Sequence, residues 1–360
     1  MTSENLEMRE GLSKVELSPR LIHAAQNAVL TCLSGTSDDK AVVIFDSSTA
    51  PVAAALLKVL DENEIPISLV DLDRFGARPL VKLPASFLAE LRKATISAFA
   101  AKSMRGELSV RKSILEIVTS SRVRHAHMPS ITPEVFADGL SMDYREVSRF
   151  MKVLMGEIEA SSSLTMTSKA GTDLRFDYTS PPVVDLLDGL IDQGRWQNLP
   201  SGQIIIYPAN AEGRFVTDRN IGDWFEHKYD IPTTPVTFEF EKGQVRSISC
   251  DNKRLERDLW LFVRSSDNSG RISELVIGAN LGLTQNHPNA LYDGYRPGAS
   301  ISLGAFEYNP KVSWHSATVL PMMSKANGIR VGDRILMTGD IFCEEVLEKA
   351  KDPAGRPPDR

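Results

Sequence analysis

The sequence predicts an α/β protein in which an N-terminal doubly wound α/β domain is followed by a mainly antiparallel, β-rich α+β domain. Three observations carry this. Its 360 residues suit two domains at ~100–200 residues each. Short apolar runs alternate with helical patterns as far as residue 162, as parallel strands joined by crossover helices require. From residue 163 strict apolar–polar alternation takes over, the period of half-buried antiparallel strands. The domains are expected at 1–162 and 163–345, with a Pro-rich, charged tail over 346–360 expected to be disordered.

The first strand is AVVIFD at 41–46, followed by the turn residues Ser47, Ser48 and Thr49 and a helix over 51–63 with Pro51 at its first position. IPISLVDL at 65–72, ISAFAAK at 96–102 and RVRHAHM at 122–128 are the next strands, and Val110, Ile114, Ile117 and Val118 mark a helix over 109–119. The first strand-to-helix turn, DSSTAP, lacks glycine, so the dinucleotide fingerprint is absent and nicotinamide or flavin binding is disfavoured. Val147, Phe150, Met151, Leu154 and Ile158 at 3–4 spacing predict a helix over 141–161 that bridges into the second half. Strands then follow at SLTMTS, TDLRFDY, QIIIYPAN, GRFVTD, the hairpin TPVTFEFEKGQVRSISC, ISELVIGAN (272–280), ASISLGAF (299–306), VSWHSATVL (312–320) and RILMTGDIF (334–342). Two stretches, VVDLLDGLIDQG and KRLERDLWLFV, read as helices.

Composition narrows the function classes. Lys and Arg number 41 against 47 Asp and Glu, a net charge of −6, and the basic residues form no block. That argues against nucleic-acid or membrane partners. The polar, acidic N-terminus has no apolar core of a signal segment, and no apolar run approaches the ~18 residues of a membrane span. A cytoplasmic location is expected. Cys32, Cys250 and Cys343 lie far apart without metal-ligand or disulfide spacing.

Several polar residues stand where chemistry could occur. His125 and His127, two apart on a strand, share a face, but no third metal ligand lies near them in sequence. A structural or hydrogen-bonding role is the favoured reading. Glu274 is a lone carboxylate in an apolar strand, costly to bury unless paired or protonated, and competes with an edge-strand Glu facing water. His315, between Trp314 and Ser316, divides in the same way between a site and a packed core histidine. Asp173 reads as a turn acid.

Taken together, RHAHMPSITPEVFADGLSMDY, TSKAGTDLRF, NLPSGQIIIYPANAEGRFVTD, ISELVIGANLGL, PGASISLGAF and VSWHSATVL occur in an order and spacing that resembles the aminopeptidase T metallopeptidases and their relatives, the 2,5-dihydroxypyridine dioxygenases. The resemblance covers roughly 120–342 and implies a homo-oligomer, here expected as a homodimer. It also implies a metal site. The aminopeptidases hold two metal ions on five residues, whose positions here read Gln203, Glu274, Ser300, His315 and Ala317. The iron triad of the dioxygenases falls on Ser300, His315 and Ala317. An amide, a hydroxyl and a methyl thus stand where the resemblance implies two anions and an imidazole, which removes the anionic bridging that paired divalent ions need. His287, Asp293, Glu307 and Tyr308 lie nearby without ligand spacing, so neither a metal nor another cofactor is expected.

The same positions suit binding. Gln203, Ser300 and His315 form hydrogen bonds, Glu274 can hold an ammonium group, and Trp314, Tyr308, Phe306 and Tyr292 can wall a pocket. The first expectation is a metal-free protein that binds a peptide or small peptide-like ligand, an accessory in peptide modification or natural-product biosynthesis. A second is a metal-independent hydrolase or cyclase using Glu274 and His315 as base and acid. The third is an aminopeptidase or iron-dependent ring-cleaving dioxygenase with unorthodox ligands.

Overall fold

In the computed structural model the described residues are 3–351, apart from 288, 307 and 308. They form two compact units. The first comprises Met1–Ser148 from residue 3 on, with Asp188–Ser201 and Leu281–Thr284; the second comprises Arg149–Leu187, Gly202–Asn280 and the described chain from Gln285 on. The chain thus returns twice to the first unit instead of dividing once at 162, and the helix Tyr144–Glu159 carries it across the first division.

In the first unit, five parallel strands lie in the order Ile67–Asp71, Ala41–Phe45, Ile96–Ala100, Arg124–His127, Trp196–Asn198. This is the doubly wound arrangement that the apolar runs predict. Ala41–Phe45 is apolar throughout because helices cover both faces, and all five of its residues, like those of Ile96–Ala100, are buried. The fifth strand, three residues long, has too little pattern to be seen in the sequence.

Strand order reverses between Ala41–Phe45 and Ile96–Ala100, and the crevice beyond their carboxyl ends is where such sheets bind ligands. Here that place holds ions of the chain itself. Arg78 donates to Asp46 Oδ2 at 2.5 Å, to Glu107 Oε1 at 2.9 Å and Oε2 at 2.5 Å, and to the Lys102 carbonyl at 2.7 Å. Its side chain is 7% exposed, those of Asp46 and Glu107 3% and 2%. Backbone amides of Lys102 and Leu80 donate to the same two acids. Burial alone would raise both carboxyls, yet the hydrogen bonds and the guanidinium hold them below their usual range.

His125 and His127 lie one strand further along, almost wholly buried. Ser97 Oγ is 2.7 Å from His125 Nδ1, and His125 Nε2 is 3.3 Å from His127 Nδ1. His127 stacks on Phe99 at 4.9 Å. Burial, with Arg111 adding to it, pushes the His127 pKa down to about 3; burial and then His127 push His125 down. Both are neutral packed residues.

The second unit contains two antiparallel sheets. Eight strands run Gln244–Ser249, Val236–Glu241, Asn210–Thr217, Asp173–Asp177, Ser163–Ser168, Asn327–Val331, Arg334–Thr338, Ile341–Phe342, and six more form the sheet that carries the candidate site. Asp173 is exposed at the start of its strand, as a turn acid should be. Helix Lys253–Val263 is as expected, capped by Asn252, whose side chain accepts from Arg254 and Leu255.

Three expectations fail. VVDLLDGLIDQG is no helix: Val184–Leu187 is a strand paired with Gln203–Ile206, and a turn follows. V-V-D-L-L satisfies both periods, and the adjoining strand decides. In VSWHSATVL only the last residue enters a strand, Leu320–Met323. The Ser316 hydroxyl accepts from the Ala305 amide and donates to the Thr318 carbonyl, closing a turn where a ladder would run. The expected disordered tail begins too early, because Glu344–Lys351 is a helix with acids in its first turn, lysines in its last and Val346 buried; residues 352–360 lie outside the described residues.

Two outcomes follow from these buried titratable groups. Arg78→Met leaves two carboxylates buried without their cation and should destabilise the protein by about 3–5 kcal/mol, read as a lower urea midpoint; an unchanged midpoint refutes the network's role. Folded histidines with depressed pKa refuse protons that the unfolded chain accepts from about pH 6.5 downwards, so each should cost about 1.4 kcal/mol per pH unit as pH falls below that value. Urea unfolding at about pH 6 and pH 5 should show the slope roughly halved in His127→Phe, and equal slopes in mutant and parent would contradict it.

Candidate functional site

The six-stranded sheet of the second unit runs Asn220–Ile221, Leu320–Met323, Gly298–Leu303, Ile272–Gly278, Gln203–Ile206, Val184–Leu187. Alternation separates its faces. Ile204, Ile206, Leu275, Ile277, Ile301, Leu303, Leu320 and Met322 form one face and are at most 2% exposed. The other face is mixed. Register places Ser300 beside Val276, Val276 beside Ile205, and Ile205 beside Asp185, with Glu274 opposite Ser302 and Gln203 opposite Gly278. Gln203, Glu274 and Ser300 therefore share one face, as residues an even number apart along paired strands must.

Glu274 reaches that face through a bulge. Ile272 pairs with Leu303 and Glu274 with Ser302, so Ser273 is the extra residue. Were the ladder regular through Ser273, Ile272 and Glu274, two apart, would point the same way; because it bulges there, Ile272 is in the core and Glu274 on the mixed face. Ser273 is buried and its hydroxyl donates to the Ser302 carbonyl at 3.1 Å. Burial raises the Glu274 pKa, and the neighbouring Asp185 raises it further against a lowering hydrogen bond from Ser302. Tyr207 donates to Asp185 Oδ2 at 2.7 Å, and burial plus these carboxylates push its phenol up as well. Lys311 Nζ lies 3.5 Å from Asp185 Oδ1 and donates to the Val184 carbonyl at 3.3 Å. The result is a half-buried acidic cluster with one ammonium group already against it.

Gln203 is engaged differently. Its Nε2 donates to the Gly294 carbonyl at 2.9 Å. That backbone crosses the face so closely that a Cβ on Gly278 would lie 1.9 Å from the Arg296 carbonyl oxygen. Only glycine fits there, and only a donor at 203 satisfies the crossing carbonyl. A glutamate would set acceptor against acceptor.

The remaining expected residues are scattered. His315 is exposed on a loop, where its carbonyl accepts from Asn268 Nδ2 at 3.1 Å, and the Ala317 amide donates to Ser266 Oγ at 2.9 Å. Trp314 is half-buried under the Arg271 guanidinium, 4.7 Å from its ring centre. Tyr292 is a fully buried core residue beside Tyr295, not a pocket wall, and Phe306 is 41% exposed. Asp293 and His287 belong to a separate buried cluster with Arg219 and Arg296. Tyr308 and Glu307 lie outside the described residues.

The metal set implied by the resemblance does not fit these donors. Gln203 spends its amide on a backbone carbonyl, Glu274 has a raised proton affinity, and positions 300 and 317 are a hydroxyl and a methyl. Among the described residues, no three His, Cys, Asp or Glu side chains gather as a metal-binding group. Asp185, Tyr207 and Lys311 were not visible as site residues in the sequence; Asp185 fell in the stretch read as helical, and their meeting depends on strand register.

Residues 141–259 match the family model described as NicX, 2,5-dihydroxypyridine 5,6-dioxygenase. The matched segment includes Gln203 and ends before Glu274, Ser300, His315 and Ala317. Among solved structures, 2,5-dihydroxypyridine dioxygenase from Pseudomonas putida KT2440 is similar with a TM-score of 0.62 and 17% identity, over 95% of this chain and 100% of that one. Wild-type AmpT from Thermus thermophilus is similar with a TM-score of 0.61 and 14% identity, over 90% and 98% of the two chains. A search of curated protein sequences finds no match. No helix among the described residues is long and apolar enough to cross a membrane. The chain is thus similar to the 2,5-dihydroxypyridine 5,6-dioxygenase family model in sequence over 141–259, and in fold to both solved structures over nearly its whole length.

Proposed function

We propose that this chain is a metal-independent binding protein that takes the amino terminus of a peptide, or of a small peptide-like molecule, on the mixed face around Glu274 and Asp185. The observation that carries the reading is the Gln203 amide bonded to the Gly294 carbonyl, which commits to structure a position that the resemblance assigns to a metal ligand. Glu274 supports it. A half-buried carboxylate whose proton affinity is raised gains most from a neighbouring cation, and Lys311 beside Asp185 marks the face as one that accepts an ammonium group. Ser300, on the same face, is assigned to ligand contacts. The reading includes a cytoplasmic homodimer acting as an accessory in peptide modification or natural-product biosynthesis, without nucleic-acid or membrane partners.

Calorimetry with short peptides, one for each N-terminal residue type, should show binding of free-amine forms and loss of binding on N-acetylation. Glu274→Gln should weaken the tightest of them by roughly 10–100-fold, the worth of a hydrogen bond to a charged group. No binding by any peptide, or equal affinity for acetylated forms, sinks the proposal.

Elemental analysis of protein purified without chelator should find zinc, iron, manganese and cobalt all well below one per chain. Stoichiometric metal together with peptide hydrolysis or ring cleavage would favour the enzyme readings instead.

A further inference from the structure

The strand Val184–Leu187 ends one side of the six-stranded sheet, with Gln203–Ile206 on its inner side and no strand beyond it among the described residues. Backbone parity decides which of its groups face outward. The Val183 carbonyl accepts from the Tyr207 amide and the Leu187 carbonyl from the Gly202 amide, both toward the sheet. Residues an even number from these bond inward, so the N–H and C=O of Val184 and Leu186 point out of the edge. The Val184 carbonyl agrees with this, since it accepts from the Lys311 ammonium at 3.3 Å. Among the described residues no donor or acceptor meets the outward pair of Leu186.

The other sheet edges are blunted, as edges of soluble proteins usually are. On the parallel sheet the Leu69 amide of the edge strand Ile67–Asp71 is taken by Asn5 Oδ1 at 3.1 Å. Along Gln244–Ser249 the Val245 amide is taken by the Gly270 carbonyl at 3.0 Å. Trp196–Asn198, Asn220–Ile221 and Ile341–Phe342 are only two or three residues long. Val184–Leu187 is the edge that lies against the acidic cluster, and what meets it there is an ammonium group: Lys311 Nζ is also 3.5 Å from Asp185 Oδ1. A peptide's amino terminus can make the same two contacts, a carbonyl acceptor and a carboxylate.

We propose that the first three residues of a peptide add to this edge as a further strand, parallel to Val184–Leu187, with the terminal ammonium replacing Lys311 on the Val184 carbonyl and Asp185. The inference rests on the peptide reading above and gives it a backbone mode of recognition. Direction follows from what the edge offers. A chain starting at Val184 and running parallel passes Leu186: its first carbonyl accepts from the Leu186 amide, its third amide donates to the Leu186 carbonyl, and its second amide points away. In the opposite direction the next outward position is Pro182, which has no N–H to give.

Calorimetry on the full chain with tetrapeptide amides X-Ala-Ala-Ala, X running through the residue types, tests this. For the tightest of them, methylating the nitrogen of the third residue should weaken binding by about tenfold or more, the worth of the lost hydrogen bond and the crowded edge. Methylating the nitrogen of the second residue should leave affinity nearly unchanged. Lys311→Met, which vacates both acceptors, should bind the unmethylated peptide several-fold more tightly. No loss on third-residue methylation, an equal loss at the second residue, or no gain in Lys311→Met overturns the added strand, and the amino-terminal reading survives that result if N-acetylation still abolishes binding. Absence of binding by every X-Ala-Ala-Ala amide overturns both.

Discussion

The candidate face depends on one close approach of two backbones. Where the chain from Gly294 to Arg296 crosses the strand Ile272–Gly278, no room remains for a Cβ at position 278. Much follows from that crossing. The Gly294 carbonyl is brought over Gln203, which fixes the side chain there as a donor. Arg296 is held beside Arg219 and Asp293, so a charged cluster is packed against a sheet whose other face is aliphatic. Steric exclusion at one glycine thus determines the polarity of side chains that are distant in sequence.

Charge is handled in opposite ways at two places in the chain. In the first, Arg78 is matched by two carboxylates whose oxygens also take backbone amides, so the network is saturated and fills the crevice at the strand-order reversal. The sequence around it, DSST in place of a glycine-rich turn, already disfavoured a phosphate-bearing cofactor there. In the second unit the polar groups are incompletely matched. Glu274 neighbours another acid, and the Nε donors of Arg219 and Arg296, on either side of Asp293, lack acceptors. Saturated networks stabilise a fold, whereas unsaturated ones have capacity left for a ligand.

The parallel sheet was legible in the sequence because its central strand, AVVIF, is buried on both faces and reads as an unbroken apolar run. Helix Tyr144–Glu159 was legible because its apolar residues repeat at one period over four turns. Val184–Leu187 was not, since a four-residue strand with one acid fits a helical pattern equally well and only its pairing with Gln203–Ile206 settles it. VSWHSATVL alternates correctly, but a serine hydroxyl replaced the partner strand. At the site, Gln203, Glu274 and Ser300 could be aligned from motifs, and their common face follows from alternation once register is known. Asp185, Tyr207 and the Arg219–Arg296 pair could not, because their meeting is set by strand order and by a crossing loop, neither of which leaves a local trace in the residues themselves.

The bulge at Ser273 means that the chemistry of its strand is stored in a count of residues as much as in their identity. Removing one residue beyond the bulge, between Glu274 and Gly278, would exchange inside for outside on one side of the deletion, whereas removing Ser273 itself would restore a regular ladder and leave Ile272 inside and Glu274 on the mixed face. Replacing residues one at a time leaves that count intact. Insertions and deletions in this strand therefore explore a kind of change, wholesale inversion of a surface, that no series of point substitutions in it can reproduce.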